Sequence, residues 1–418
     1  MFVQRPPAIL FVRQEAASCR SLLAAWLMVL LAGCATLPRN AVPVDAIYTA
    51  EVPGMPGIRA WGGQLSPEFQ ADAVQSVLDE PDDAFPRDAT GARLYGALAL
   101  SGGGSDGAFG AGFLYGWSEL GTRPDFKLVT GISTGALIAP FAFLGPDFDQ
   151  ELREVYTTIT TESILERLNI FKIIVSGESF ARTDPLRKLV AQHITRETLA
   201  AVAARHDRGH RLYIGTTHMD AQRLSIWNMG RIAKSGEPGA LDLFRDILVA
   251  SASIPAAFPP VLIEVEADGK RYDEMHTDGG TVTQVFFYAG VVDLRAAARE
   301  ALSKEGGDTG ELYIIRNGQL NPEPEQVRRK LADISDRAVS TMIKTAALNN
   351  LYRIYTFAQR DGIAFNYVDI PDDFDSRSKE PFDQAEMNRL FDVGYRLALT
   401  GEGWQRRPPG LAPLQVAE

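Results

Sequence analysis

The sequence predicts an α/β protein with a mostly parallel central sheet, on three observations. An apolar run, Leu94–Leu100 (LYGALAL), leads straight into the glycine-rich turn Gly102–Gly107 and then a helix-compatible run, Ala108–Leu120. Lys127–Thr130, the turn Gly131–Gly135 and the apolar run that follows through about Leu144 repeat that order. Strand, turn and helix in succession are βα units, whose strands lie parallel. Third, a chain of 418 residues with 45% apolar and 23% charged residues can bury an extensive core. At this length it forms two or three domains, or one large α/β domain with appendages.

The N-terminus reads as a targeting segment. Arg5, Arg13 and Arg20 are basic, and Ser21–Ala32 is an apolar run of twelve residues. That is too short for a membrane-spanning helix of about 20 residues and suits a signal-peptide core. Leu31-Ala32-Gly33-Cys34 closes it and resembles the lipobox of bacterial lipoproteins. The resemblance implies cleavage before Cys34 and acylation of its thiol; a plain cleaved signal peptide stays open, as does a start downstream of Met1. Ala35 is not the Asp that retains many lipoproteins at the inner membrane, so the expected location is the outer membrane, facing the periplasm. The only other cysteine is Cys19, inside the removed segment. The mature chain then has no disulfide, no Cys-built metal site and no Cys nucleophile.

Residues 34–92 are rich in Pro, Gly and Asp and are expected as a tether and lead-in. Within them Pro67–Asp79 forms a helix capped by Ser66 with Pro at its first position. The turn after Leu100 allows several readings. No Lys follows it, which excludes a phosphate-binding P-loop. Gly102-x-Gly104-x-x-Gly107 matches a dinucleotide fingerprint, but no decisive acidic residue stands at a second strand end about 20 residues on. An oxyanion hole of backbone N–H groups is the other reading. Gly131-Ile132-Ser133-Thr134-Gly135 is a G-x-S-x-G turn between strand and helix, as a nucleophile elbow requires.

Downstream, Asp149–Leu168 and Asp184–Ala204 are amphipathic and helical in pattern, with an apolar patch, Phe171–Val175, between them. The patch reads as core sooner than as part of an acyl groove. Arg211–Thr217 and Leu224–Met229 read as paired strands, and Leu241–Ala250 as a helix leading into Ser253-Ile254-Pro255. Arg271–Thr277 runs into Asp278-Gly279-Gly280, a tight turn that exposes the carboxylate. The tail carries a helix (Leu294–Ser303), a strand (Leu312–Arg316), a helical run (Gln326–Asp361) and a loose end. A net charge of −11 argues against a nucleic-acid partner.

A serine nucleophile needs a base. His193, His206 and His210 lie in polar stretches and are expected at the surface; His218 and His276 lie near strand ends. A triad of Ser133, Asp220 and His276 is possible in order alone. A Ser-Asp dyad, in which the carboxylate takes the proton directly, is the alternative.

Gly102-Gly103-Gly104-x-x-Gly107, Gly131-x-Ser133-x-Gly135, Ser253-Ile254-Pro255 with Phe258-Pro259-Pro260, and Asp278-Gly279-Gly280 together resemble the patatin-like phospholipase family over about Arg93–Gly290. The resemblance implies a three-layer α/β/α fold, a Ser133–Asp278 dyad, an oxyanion loop of Gly102, Gly103 and Gly104, and no metal or other cofactor. Gly107, Gly131, Gly135, Gly279 and Gly280 complete its motifs. It implies hydrolysis of acyl esters of glycerolipids, with phospholipid or lysophospholipid as substrate. Where the family carries Arg or Lys before the last glycine of the loop, this chain has Asp106. That leaves two alternatives: a non-catalytic or regulatory envelope lipoprotein that keeps the fold, and an acyltransferase. The expected organisation is a lipoprotein signal peptide (1–33), a tether and N-terminal lead-in (34–92), a catalytic domain (93–290) and a C-terminal, mostly helical extension that packs on the core (291–418), with membrane attachment through Cys34.

Overall fold

The structure is a computed structural model that describes residues 39–87, 89, 91–164, 166–167, 181–288, 290–302, 309–378 and 380–411. The expected signal segment, Cys34 and the Phe171–Val175 patch lie outside them.

Among the described residues, nine strands form the main sheet. They are β1 (Arg59–Trp61), β2 (Leu94–Leu100), β3 (Phe126–Ile132), β4 (Arg211–His218), β5 (Arg223–Asn228), β6 (Val261–Ala267), β7 (Lys270–Asp278), β8 (Thr309–Arg316) and β9 (Ile363–Asp369). The order is β1-β5-β4-β3-β2-β8-β9, with the β6–β7 hairpin attached through β7 to β4. Neighbours from β4 through β9 pair parallel, whereas β5, β1 and the hairpin join antiparallel. This is the mostly parallel sheet that the sequence predicts.

Both faces of the sheet are covered. In β2, Leu98 and Leu100 enter one core and Ala97 and Ala99 the other, the period of two that a strand imposes. Helices α2 (Gly107–Glu119), α3 (Thr134–Leu144), α4 (Asp149–Thr158), α5 (Asp184–His193), α6 (Arg196–Asp207), α7 (Met229–Lys234), α8 (Ala240–Ser251) and α11 (Gln384–Leu399) contribute to the first core. The second is built with α1 (Pro67–Leu78), α9 (Leu294–Leu302) and α10 (Leu331–Asp361), through Phe69, Ala347, Leu351, Ile354 and Ala358. As the sequence predicts, Ser66 caps α1, its Oγ accepting from the Phe69 N–H at 3.3 Å.

The expected segment boundaries do not divide this body. From Arg39 onward the supposed tether is folded: Val42, Ile47, Ala50, Met55 and Ile58 are buried, and β1 closes one edge of the sheet. The supposed extension supplies β8 and β9 as well as helices of both layers. Residues 93–290 alone would lack two parallel strands and the three helices of one layer, leaving apolar surface bare that a stable fold must cover. The extension's α11 is also locked to α2. A Cβ at Gly112 would lie 2.0 Å from the Phe391 carbonyl oxygen, and one at Gly394 2.1 Å from that of Phe109. Only glycine permits backbones this close.

Candidate active site

Strand register brings the site together. Along one edge of β4, β3 pairs with Arg211–Gly215 and β7 with Thr216–His218. The C-terminal ends of β3 and β7 therefore meet head to head, Ile132 opposite Gly215 and Asp278 opposite Thr216. The residue after Ile132 is Ser133. Its Oγ donates to Asp278 Oδ2 at 2.5 Å, across 145 positions of sequence.

Ser133 has φ 54° and ψ −123°, a left-handed conformation that a non-glycine residue adopts only when its surroundings force it. The flanking glycines permit this by close approach. A Cβ at Gly131 would sit 2.4 Å from the Gly135 carbonyl oxygen, and one at Gly135 2.4 Å from that of Leu100. Below the turn, the Ser133 N–H donates to Ser251 Oγ (3.0 Å), and that hydroxyl donates to the Gly215 carbonyl (2.7 Å). The elbow is thus tied to α8 and β4.

Asp278 is held equally firmly. Its N–H donates to the Ser253 carbonyl at 2.8 Å, and Thr217 Oγ1 donates to its carbonyl at 2.9 Å. Oδ1 accepts from the Gly280 N–H at 2.7 Å, which aims Oδ2 at Ser133. Burial pushes the carboxyl up to about 7, opposed by the hydrogen bonds from Ser133 and Gly280. A carboxylate with that affinity for a proton can accept one from a hydroxyl near neutral pH.

The glycine loop lies across from the serine. A Cβ at Gly102 would be 3.3 Å from Ser133 Cβ. The Gly102 N–H is used by the Gln284 carbonyl (2.9 Å), but the N–H groups of Gly103 and Gly104 make no hydrogen bond among the described residues. Together with the N-terminus of α3 they can donate to an oxyanion.

The loop is braced from a strand that no motif marks. Arg316, the last residue of β8, donates from Nη1 to the Gly102 carbonyl (3.1 Å) and Ser101 Oγ (3.3 Å). Asn317 donates from Nδ2 to the Ser101 carbonyl (2.9 Å) and accepts from the Gly110 N–H at Oδ1 (3.1 Å). Asp106 begins the turn of α2. Burial pushes its carboxyl up to about 7, and the Arg316 guanidinium works against that rise. The cation missing from the loop sequence is therefore supplied to its surroundings from β8, about 200 residues downstream. Gln284 also joins the site, donating from Nε2 to the Gly280 carbonyl (2.7 Å), while Asn350 Oδ1 of α10 accepts from the Gln284 N–H (2.8 Å). The sequence signal for all of these is only position after an apolar strand or turn, which singles out no residue.

The histidines correct one expectation. His206 and His210 are buried, not at the surface, and burial lowers both, to about 3 and about 4. His210 Nδ1 lies 2.9 Å from the Phe126 carbonyl oxygen. His193 is half-buried, with Nδ1 2.7 Å from Glu151. His218 and His276 face each other across β4 and β7 beside Glu274, all three fully buried. The ordered triad fails because His276 is engaged by Thr216 Oγ1 (3.0 Å) and Glu274 (3.2 Å), while Asp220 is tied to Arg39.

His218, Glu274 and His276 are close enough to hold a cation, but their hydrogen bonds oppose it. The Ala221 N–H donates to His218 Nδ1 at 3.1 Å, so the neutral ring carries its proton on Nε2, which points at Glu274 from 3.6 Å. Glu274 is already paired with Arg59. The trio pins β1, β4 and β7 together. A cavity of about 980 Å³ is lined by Tyr95, Lys127, Tyr213 and Glu311 at the opposite, N-terminal ends of the strands, away from Ser133.

Solved structures of similar shape include VipD from Legionella pneumophila, 11% identical, TM-score 0.36, covering 77% of this chain and 70% of that one. A human GIVD cytosolic phospholipase A2 is 9% identical, TM-score 0.29, with 82% and 63% covered. The type III effector protein ExoU is 14% identical, TM-score 0.20, with 73% and 53% covered. This chain thus spans less than two thirds of the length of the last two. No curated protein matches it in sequence. The fold is the patatin fold, and residues 98–289, which carry Ser133, Asp278 and the glycine loop, match the patatin-like phospholipase family model.

Proposed function

We propose that this chain is a lipid acyl hydrolase that cleaves acyl esters of phospholipid or lysophospholipid through a Ser133–Asp278 dyad. The 2.5 Å contact between Ser133 Oγ and Asp278 Oδ2, opposite two free loop N–H groups, carries the reading. Asp278 takes the hydroxyl proton as Ser133 Oγ bonds to the ester carbonyl carbon. The carbonyl oxygen becomes an oxyanion facing the Gly103 and Gly104 N–H groups. The C–O bond to the glycerol then breaks, and Asp278 returns the proton to the departing alkoxide. Water enters by the same route: Asp278 accepts its proton, its oxygen attacks the acyl-enzyme, and fatty acid leaves as Ser133 is reprotonated.

A fluorophosphonate probe tests whether the serine is live. Wild-type protein is expected to label and Ser133→Ala not to, with fatty acid released only by wild type. Failure of both proteins to label would favour the non-catalytic reading; labelling without release of free fatty acid, but with transfer to a second alcohol, would favour an acyltransferase.

The same reading holds the enzyme on its substrate surface through a lipid on Cys34, at the periplasmic face of the outer membrane. Among the described residues no helix is long and apolar enough to cross a membrane. Incorporation of radiolabelled palmitate is expected in wild type and absent in Cys34→Ala; equal incorporation would remove the anchor.

A further inference from the structure

Helix α10 changes character halfway along. Its C-terminal half buries Ala347, Leu351, Ile354 and Ala358 against the sheet. At 100° per residue, the line of these residues continues into the N-terminal half as Asp333, Asp336, Arg337, Ser340 and Lys344. Two of these side chains, Arg337 and Lys344, turn to the protein's own chain, whereas Asp336 and Ser340 are exposed. Lys344 Nζ donates to the Asn321 carbonyl (2.6 Å) and pairs with Glu323, and Arg337 contacts Glu323 and Glu325. The opposite arc carries Leu331, Ile334, Ala338 and Met342, flanked by Val339, and it is exposed. Leu331 is 84% exposed and Met342 63%. A surface helix ordinarily does the reverse.

The location of this half is fixed by the fold. Gly362 ends α10 at the N-terminal end of β9, and Asn350 reaches Gln284 beside the catalytic turn. Residues 331–346 therefore stand beyond the sheet on the side of Ser133, over a length of about 24 Å. Ile254 and Val282, next to the site, are exposed on the same side. The helix tip is basic, Arg328-Arg329-Lys330, in a chain of net charge −11. Arg39 also lies at this end of the sheet, paired with Asp220 after β4, five residues past Cys34. Five residues span at most about 18 Å, so a lipid on Cys34 would lie within that reach of Arg39.

We infer that the N-terminal half of α10 is an interfacial helix that lays its apolar arc into an anionic lipid surface and brings Ser133 onto it. The inference rests on the lipid-hydrolase reading for its purpose, but its test does not. Binding is read on the full chain with Cys34→Ala and Ser133→Ala, so neither the anchor nor turnover contributes. The probe is vesicles of equal parts phosphatidylcholine and phosphatidylglycerol, in a sedimentation assay. This background is expected to bind; adding Ile334→Asp with Met342→Asp is expected to weaken binding at least about tenfold, since two apolar groups no longer enter the interface. Adding Arg329→Glu with Lys330→Glu instead should weaken binding to these vesicles and not to pure phosphatidylcholine. With Ser133 restored, the Asp pair should hydrolyse a soluble short-chain ester at the wild-type rate, which shows the fold and site intact. No binding by the background protein, or binding unchanged in the Asp pair, overturns the inference. So does a dimer that the Asp pair splits into monomers, which would make a second copy the cover.

Discussion

Asp278→Asn is expected to lower kcat/KM about ten-thousand-fold while making the protein more stable at alkaline pH. Both effects follow from one buried carboxyl. Asn has the shape to accept from the Gly280 N–H and to meet Ser133 Oγ, but it cannot take the proton. The carboxyl of Asp278 titrates near 7 in the fold because it is buried. In the unfolded chain it titrates near 4. Between those values the folded state holds a proton that the unfolded state has released, so stability contributed by this group falls as pH rises from about 4 to about 7. Above that window wild type carries a buried carboxylate and the variant does not, a difference on the order of 4 kcal/mol at about pH 8. Below about pH 4 the difference should vanish. Urea unfolding at the two pH values measures it. Because the base must be ionised, wild-type kcat/KM should rise with pH to a plateau, with its midpoint near 7. An Asp278→Asn enzyme of full activity would return the base to a histidine, and a rate constant flat from about pH 5 to 9 would disconnect the raised carboxyl from the chemistry.

What the sequence discloses about this site and what it hides have different physical origins. Ser133 and several motif glycines stand at places where the backbone itself is unusual: a left-handed serine, and Gly103, Gly131, Gly135 and Gly279, at which a Cβ would strike a carbonyl oxygen. Such positions admit few residue types, so they leave legible motifs. The parallel strands were legible for a similar reason, since a strand buried on both faces must be an apolar run. The bracing residues obey no such restriction. Ser251, Gln284, Arg316 and Asn350 reach the site through register and packing between distant segments, and any of them would look ordinary in a loop or at a strand end. The buried His206 and His210 were hidden in the same way: nothing local in ARHDRGHR shows that Phe126 and Asp72 will meet the rings. The motifs end where the chemistry ends. The sheet continues through β8 and β9, and its second helix layer comes from before and after the motifs.

Arg316→Met should reduce kcat about a hundredfold with KM changed less than about twofold. The argument starts from the peptide group. Its C=O and N–H point in opposite directions, so an Arg316 guanidinium that fixes the Gly102 carbonyl at 3.1 Å also turns the Gly103 N–H away from itself, to the side of the oxyanion. Methionine fills the volume without donating. The Gly102 peptide is then free to rotate, and an N–H that must be in place before the transition state forms has to be oriented at the moment of reaction. The buried Asp106 carboxyl also loses the cation that opposes its rise, so it holds its proton to higher pH. The hydrogen bonds that Arg316 makes among the described residues go to Ser101 and the Gly102 carbonyl, that is, to the loop itself, hence the small effect expected on KM. Arg316→Lys keeps the charge but not the fork, and a partial return of kcat is expected. A brace with no part in catalysis would behave differently: Arg316→Met would lower the unfolding midpoint, kcat at a temperature where the protein stays folded would match wild type, and lysine would rescue stability alone. Steady-state kinetics on a soluble ester, run beside thermal unfolding of the same three proteins, separates the two. Loss of kcat without loss of folded protein assigns Arg316 to the positioning of the oxyanion loop.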